Sequence, residues 1–171
     1  NGTYSCNSES SCESWIDNYR DETYFYDYLE YMSTYDDIIQ VWAAGNDSLD
    51  NPQIYGGSCI YDNERKELCV LVAALGTDGK IASYSNKCGV ASNHCITAPG
   101  TSIVSAEHDD SDGYTAMSGT SMAAPMVSGG LALIKERFSS LTSEQIIDRL
   151  FASATDHDVY SQSSIYGHGL M

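Results

Sequence analysis

Apolar and polar positions along the chain follow two periods, and the switches between them mark the elements. Residues 1 to about 16, dominated by Ser, Asn, Glu and Gly, read as an irregular loop. From about Asp17 to Asp36, Phe25, Tyr28, Leu29, Met32 and Tyr35 line one stripe with acids opposite, which predicts an amphipathic helix packed through its tyrosines. Ile38–Ala44 is a nearly continuous apolar run closed by Gly45-Asn46-Asp47, and Leu68–Leu75 is a second such run closed by Gly76–Lys80. Runs without alternation predict strands covered on both faces. Residues 49–67 between them read as a loop with a charged tip at Asn63–Glu67. After residue 118, Met122, Met126, Val127, Leu131, Ile134 and Phe138 recur at spacings of mostly three and four, which predicts a helix opening at Ser121. Pro125 is placed in its first turn, where a missing N–H costs little. Thr142-Ser143-Glu144-Gln145 has the form of a capping box, with Ile146, Ile147, Leu150 and Phe151 on the inner face of the helix it opens.

Composition narrows the class. The 171 residues carry 24 acidic against 8 basic side chains, a formal net charge of -16, which argues against nucleic acid or an anionic membrane as partner. The chain is 42% hydrophobic, enough for a core, yet its longest apolar run is far too short to span a membrane. No leader opens the sequence, which fits an excised or processed piece. The six cysteines fall into three near pairs, Cys6–Cys12, Cys59–Cys69 and Cys88–Cys95. Three local disulfides are expected from that proximity, among fifteen possible connectivities, and they place the protein in an oxidising compartment.

The chemistry concentrates at Ser118-Gly119-Thr120-Ser121-Met122-Ala123-Ala124-Pro125. A serine at a helix head is either an N-cap or a nucleophile, because the free N–H groups there favour an oxygen that is becoming negative. Gly-Thr-Ser-Met-Ala-Ala-Pro resembles the signature around the nucleophilic serine of the subtilisin-like serine proteases. Val41-Trp42-Ala43-Ala44-Gly45-Asn46 is similar to the strand that presents the oxyanion-hole asparagine in that family. Ile81–Asn86, Ile96–Ile103 and Tyr166–Met171 resemble further family segments. The resemblance implies Ser121 as nucleophile and Asn46 as oxyanion donor. It implies Ala43, Ala44 and Gly45 as the wall of the pocket for the side chain before the scissile bond. The paired cysteines between two of these segments, Cys88 and Cys95, are similar to those of autotransporter passenger domains of this family. That implies a location outside the cell or on a bacterial surface.

A serine hydroxyl needs a base, and the base needs an orienting carboxylate. The family order is Asp, His, Ser, and neither upstream motif is present here. None of His94, His108, His157 and His168 is followed by Gly-Thr or Gly-Ser, and all are read as loop or surface residues. The expectation is therefore the C-terminal part of one catalytic domain, residues 1–171, of three-layer α/β fold: a parallel sheet with helices on both faces. Its partners would be a protein or peptide substrate, the N-terminal part of the same domain carrying Asp and His, and a propeptide. The chemistry calls for no cofactor. Glu107–Gly113 reads as a solvated hairpin tip whose oxygens leave room for a structural calcium, without the spacing of an EF-hand. Two rivals remain: a pseudoprotease or binding module of the same fold, and an α/β-hydrolase esterase, for which the second Gly of Gly-x-Ser-x-Gly is missing at Ala123.

Overall fold

The computed structural model describes residues 37–53, 56, 66–108 and 112–171. The helix expected over 17–36, the Cys6–Cys12 pair, Cys59 and residues 63–65 of the charged loop tip lie outside the described residues, while Lys66 and Glu67 of that tip belong to a 3-10 turn, Lys66–Leu68.

Three strands, β1 (Gln40–Ala43), β2 (Cys69–Leu75) and β3 (Cys95–Pro99), form a parallel sheet in that order. Leu71 faces Cys95 and Val72 faces Ile96 across the β2–β3 pair, while Trp42 faces Leu71 across β1–β2. Every residue of β2 is buried. Its side chains alternate between two apolar layers, which is why the run shows no polar positions. Val70, Val72 and Ala74 join Ile96 and Ala98 against the helices, whereas Cys69, Leu71 and Ala73 join Ala44, Cys88, Ala91 and Cys95 on the opposite face. Both predicted strands exist, each trimmed by a residue or two at its ends. Among the described residues β1 pairs only with β2 and leaves its other edge open.

Helix α1 (Thr120–Arg137) lies across all three strands and against helix α2 (Ser143–Ala152). It begins one residue before Ser121, because the Gly119 carbonyl accepts the Met122 N–H at 3.0 Å and the Ala123 N–H at 3.4 Å. Pro125 is thus the sixth helical residue, not part of the first turn. It costs one intrahelical bond, the one its N–H would have made to the Ser121 carbonyl. The buried stripe also differs from the expected one. Thr120, Ala123, Val127 and Leu131 face the sheet, while Met126 is exposed. Alanine replaces methionine in that stripe because α1 sits close to the sheet at its head. A Cβ on Gly100 would come within 2.5 Å of the Ala74 Cβ and 2.8 Å of the Gly119 carbonyl oxygen, so only glycine fits there. Phe138 falls just past the helix, stacked by the Arg137 and Arg149 guanidiniums.

The capping box of α2 is complete: Thr142 Oγ1 accepts from the Gln145 N–H, and Gln145 Oε1 accepts from the Thr142 N–H at 3.0 Å. Ile146, Ile147 and Leu150 are buried beneath it. An antiparallel hairpin, β4 (Ile103–Ala106) with β5 (Tyr114–Met117), carries the chain from β3 to Ser118, as the charged tip suggested. Residues 109–111 of that tip are outside the described residues. The short helix α3 (Ser163–Tyr166) leads into the last residues, which run beside β3 through Thr97 N–H to Gly169 O and Met171 N–H to Thr97 O. The Cys88–Cys95 disulfide brackets a short 3-10 helix, Gly89–His94, with both half-cystines fully buried. Cys69 is also disulfide-bonded, to a partner outside the described residues. No helix among the described residues is long and apolar enough to cross a membrane.

Candidate active site

The sheet delivers its chemistry at the C-terminal ends of the strands, where ligands of open α/β sheets bind. Past β1 the chain turns at Gly45, whose φ of +109° suits glycine. A Cβ there would lie 2.6 Å from both Asn86 Nδ2 and Gln53 Cγ. The next residue, Asn46, is exposed beside the head of α1.

Two contacts fix the Asn46 side chain. Its Oδ1 accepts from the Thr120 N–H at 2.9 Å and from the Thr120 hydroxyl at 3.1 Å. The Thr120 oxygen in turn accepts from the Gly45 N–H at 3.2 Å. A backbone N–H can only donate, so the oxygen of the amide must face Thr120 and the NH₂ must face away. Among the described residues that Nδ2 has no partner, and neither the Ser121 N–H nor the Ser121 hydroxyl is hydrogen-bonded. Ser121 is exposed, as the second residue of α1. An accessible hydroxyl thus stands at the positive end of an 18-residue helix with its own N–H free, one residue after the Thr120 that holds the Asn46 amide.

The position of this helix head is itself fixed. The Gly119 N–H donates to the Gly100 carbonyl at 2.8 Å, and the same carbonyl accepts from the Tyr84 hydroxyl at 2.8 Å. Ser118 Oγ accepts from the Ser102 N–H at 2.9 Å. The roles of Thr120 and Tyr84 are not visible in local patterning, although both lie inside segments singled out by resemblance.

Of the expected pocket wall, Ala43 is partly buried, whereas Ala44 and Gly45 are buried. The Ala44 carbonyl accepts from the Gln53 N–H at 2.8 Å, and that of Gly45 accepts from the Asn86 N–H at 2.9 Å. These residues join the sheet to the site through their backbones.

None of the histidines hydrogen-bonds to Ser121. His94 immediately precedes β3, and the His168 N–H donates to the Cys95 carbonyl, so both sit at the end of the strand remote from the serine. Five strand residues separate the two ends, about 16 Å. Burial holds the His94 imidazole below the usual histidine range, and the nearby Glu67 opposes this. His168 stacks on Phe151 at 4.0 Å. Both imidazoles line a cleft of about 830 Å³ with Glu67, Glu144 and Asp148. His157 pairs with its neighbour Asp158 at 2.9 Å, and His108 is exposed at the hairpin tip. Among the described residues no group of three or more His, Cys, Asp or Glu side chains could hold a metal ion.

Known proteins give this arrangement a context. Serotype-specific antigen 1 of Mannheimia haemolytica is 39% identical over 136 residues, covering 77% of this chain and 15% of that protein. Subtilisin DY of Bacillus licheniformis is 34% identical over 135 residues, covering 78% and 44%. The neisserial autotransporter lipoprotein NalP of Neisseria meningitidis is 22% identical over 160 residues, covering 85% and 14%. The chain therefore spans less than half the length of these relatives. Among solved structures, the patellamide maturation protease PatA superposes with a TM-score of 0.68 at 21% identity, covering 95% of this chain and 64% of that one, and shares the three-layer α/β fold. The model of the subtilase family matches residues 3–169. With that match across nearly the whole sequence, and a free serine at the head of the helix its signature predicts, the chain belongs to the subtilase family.

Proposed function

We propose that this chain is the part of a serine endopeptidase that carries the nucleophile and the oxyanion donors. The observation that carries the reading is the orientation of the Asn46 amide. Thr120, the residue before Ser121, occupies its oxygen and leaves its NH₂ free, and the N–H and hydroxyl of Ser121 are unpaired too. In the proposed reaction the Ser121 oxygen attacks the peptide carbonyl and its proton passes to a histidine. As the tetrahedral intermediate forms, its oxygen takes hydrogen bonds from Asn46 Nδ2 and the Ser121 N–H. The same histidine then protonates the leaving amine, and water releases the acyl-enzyme.

That histidine and the aspartate that orients it belong to an N-terminal part of the same domain. The open edge of β1 is where a further strand of that part would add. Ala43, Ala44 and Gly45 form the wall beside the scissile bond, the substrate is a protein or peptide, and a propeptide is a further partner of the precursor. No step requires a cofactor. The disulfides and the similarity to the autotransporter lipoprotein support a place outside the cell or at a bacterial surface.

The test is labelling of the full-length protein with a fluorophosphonate, followed by peptide mass mapping. An adduct on Ser121 is the expected result. Full-length protein that stays unlabelled while a control protease reacts would favour the pseudoprotease.

A further inference from the structure

The loop that carries Asn46 is built around one buried side chain. Asn86 is fully buried, a costly place for an amide unless its polar atoms are paired. Its Oδ1 accepts from the Asp47 N–H at 2.9 Å and the Leu49 N–H at 3.0 Å, and its Nδ2 donates to the Ala44 carbonyl at 3.1 Å. Its own N–H donates to the Gly45 carbonyl at 2.9 Å. Neighbours in the same segment complete the clamp: the Ser48 N–H donates to Tyr84 O, the Ser48 hydroxyl to Ser83 O, and the Lys87 N–H to Leu49 O. Every residue from 44 to 49 except Asn46 is thus hydrogen-bonded to residues 83–87. Asn46 is the one that Thr120 holds instead.

We propose that Asn86 is the positioning residue of the oxyanion loop, setting where the Asn46 amide stands relative to Ser121. This rests on the serine endopeptidase reading above. The three side-chain bonds of Asn86 fall on Ala44, two residues before Asn46, on Asp47, directly after it, and on Leu49. Loss of the Asn86 side chain removes those three bonds, one before the donor and two after it, while leaving the Thr120 contacts and the main-chain bond to Gly45 in place. Such a loop lets the amide drift, and a displacement of about 1 Å at a reacting centre can cost up to about a hundredfold in rate. A residue that only stabilised the fold would instead act the same whether or not Asn46 kept its amide.

That difference defines the experiment. Full-length protein is inactivated with a rhodamine fluorophosphonate, and kinact and KI are measured for the wild type, Asn86→Ala, Asn46→Ala and the double variant. Asn86→Ala is expected to lower kinact about tenfold, with KI within about twofold. In the Asn46→Ala background the same substitution should change kinact by less than about twofold, because the group it positions is gone. Equal losses in the two backgrounds, or lower thermal stability with kinact unchanged, overturn the proposal. If Asn86→Ala is not recovered folded, Asn86→Asp serves in its place, since it keeps both acceptor bonds and turns the donor to Ala44 into a carboxylate oxygen that faces the carbonyl without donating. A loss that vanishes in the Asn46→Ala background then supports the proposal, and an additive loss, or none, overturns it. Wild-type protein that does not label defeats the peptidase reading and this inference together; labelling with additive losses defeats this inference alone.

Discussion

Replacing Thr120 by valine keeps the shape of a fully buried side chain and removes one hydroxyl. That hydroxyl accepts from the Gly45 N–H at 3.2 Å and donates to Asn46 Oδ1 at 3.1 Å. Two separate losses follow. The Gly45 N–H is left buried without a partner, which costs about 1–3 kcal/mol of stability. The Asn46 amide keeps the Thr120 N–H on its oxygen but loses the second bond. A typical hydrogen bond contributes about 0.5–1.5 kcal/mol net, so the oriented amide population, and with it the rate, should fall by a factor of about 2–12. Full removal of the donor in Asn46→Ala should cost about 10²–10³. The assay is the fluorophosphonate inactivation rate of full-length protein, read alongside urea unfolding. A Thr120→Val rate equal to wild type, with the stability loss present, would show that the hydroxyl does not orient the amide. A loss as large as that of Asn46→Ala would refute the premise that the remaining N–H contact holds it.

Gly45→Ala places a Cβ 2.6 Å from Asn86 Nδ2 at a φ of +109°; a destabilisation of at least about 1–3 kcal/mol is expected, read as a lower urea midpoint. Removing the buried disulfide with Cys88→Ser and Cys95→Ser opens a loop of sequence separation 7, so unfolding should become easier by about 2–3 kcal/mol, measured under conditions where wild type stays oxidised. Burial lowers the His94 pKa from 6.5, so the unfolded chain binds the proton more readily than the folded one. That contribution to stability is complete above pH 6.5 and is lost as the pH falls through 6.5 toward the folded value. His94→Gln should flatten the dependence of Tm on pH in that window, and a Tm profile parallel to wild type would count against the assignment.

The reach of sequence reading here follows the range of the interactions involved. Periodicity and spacing are local, and the elements they predict are those whose cause is local. The nearly unbroken apolar runs of β1 and β2 point to strands within a covered sheet, Thr142 and Gln145 lie within one turn, and Cys88 and Cys95 are close in the chain. Ser121 and Asn46 were nameable because short motifs carry them. The same local logic fails at α1: it favours Met126 over Ala123, since the close approach of the helix to Ala74 and Gly100 is a fact of packing. The site's supports were invisible for a related reason. Thr120 meets Asn46 across 74 positions, and Asn86 reaches Ala44 across 42. A hydrogen bond between distant residues leaves no period or spacing in the chain. The sequence alone specified the groups proposed to react and the strands and helix that carry them; which way the asparagine amide points, and what holds it there, was decided only when folding closed those long loops and buried Thr120 and Asn86.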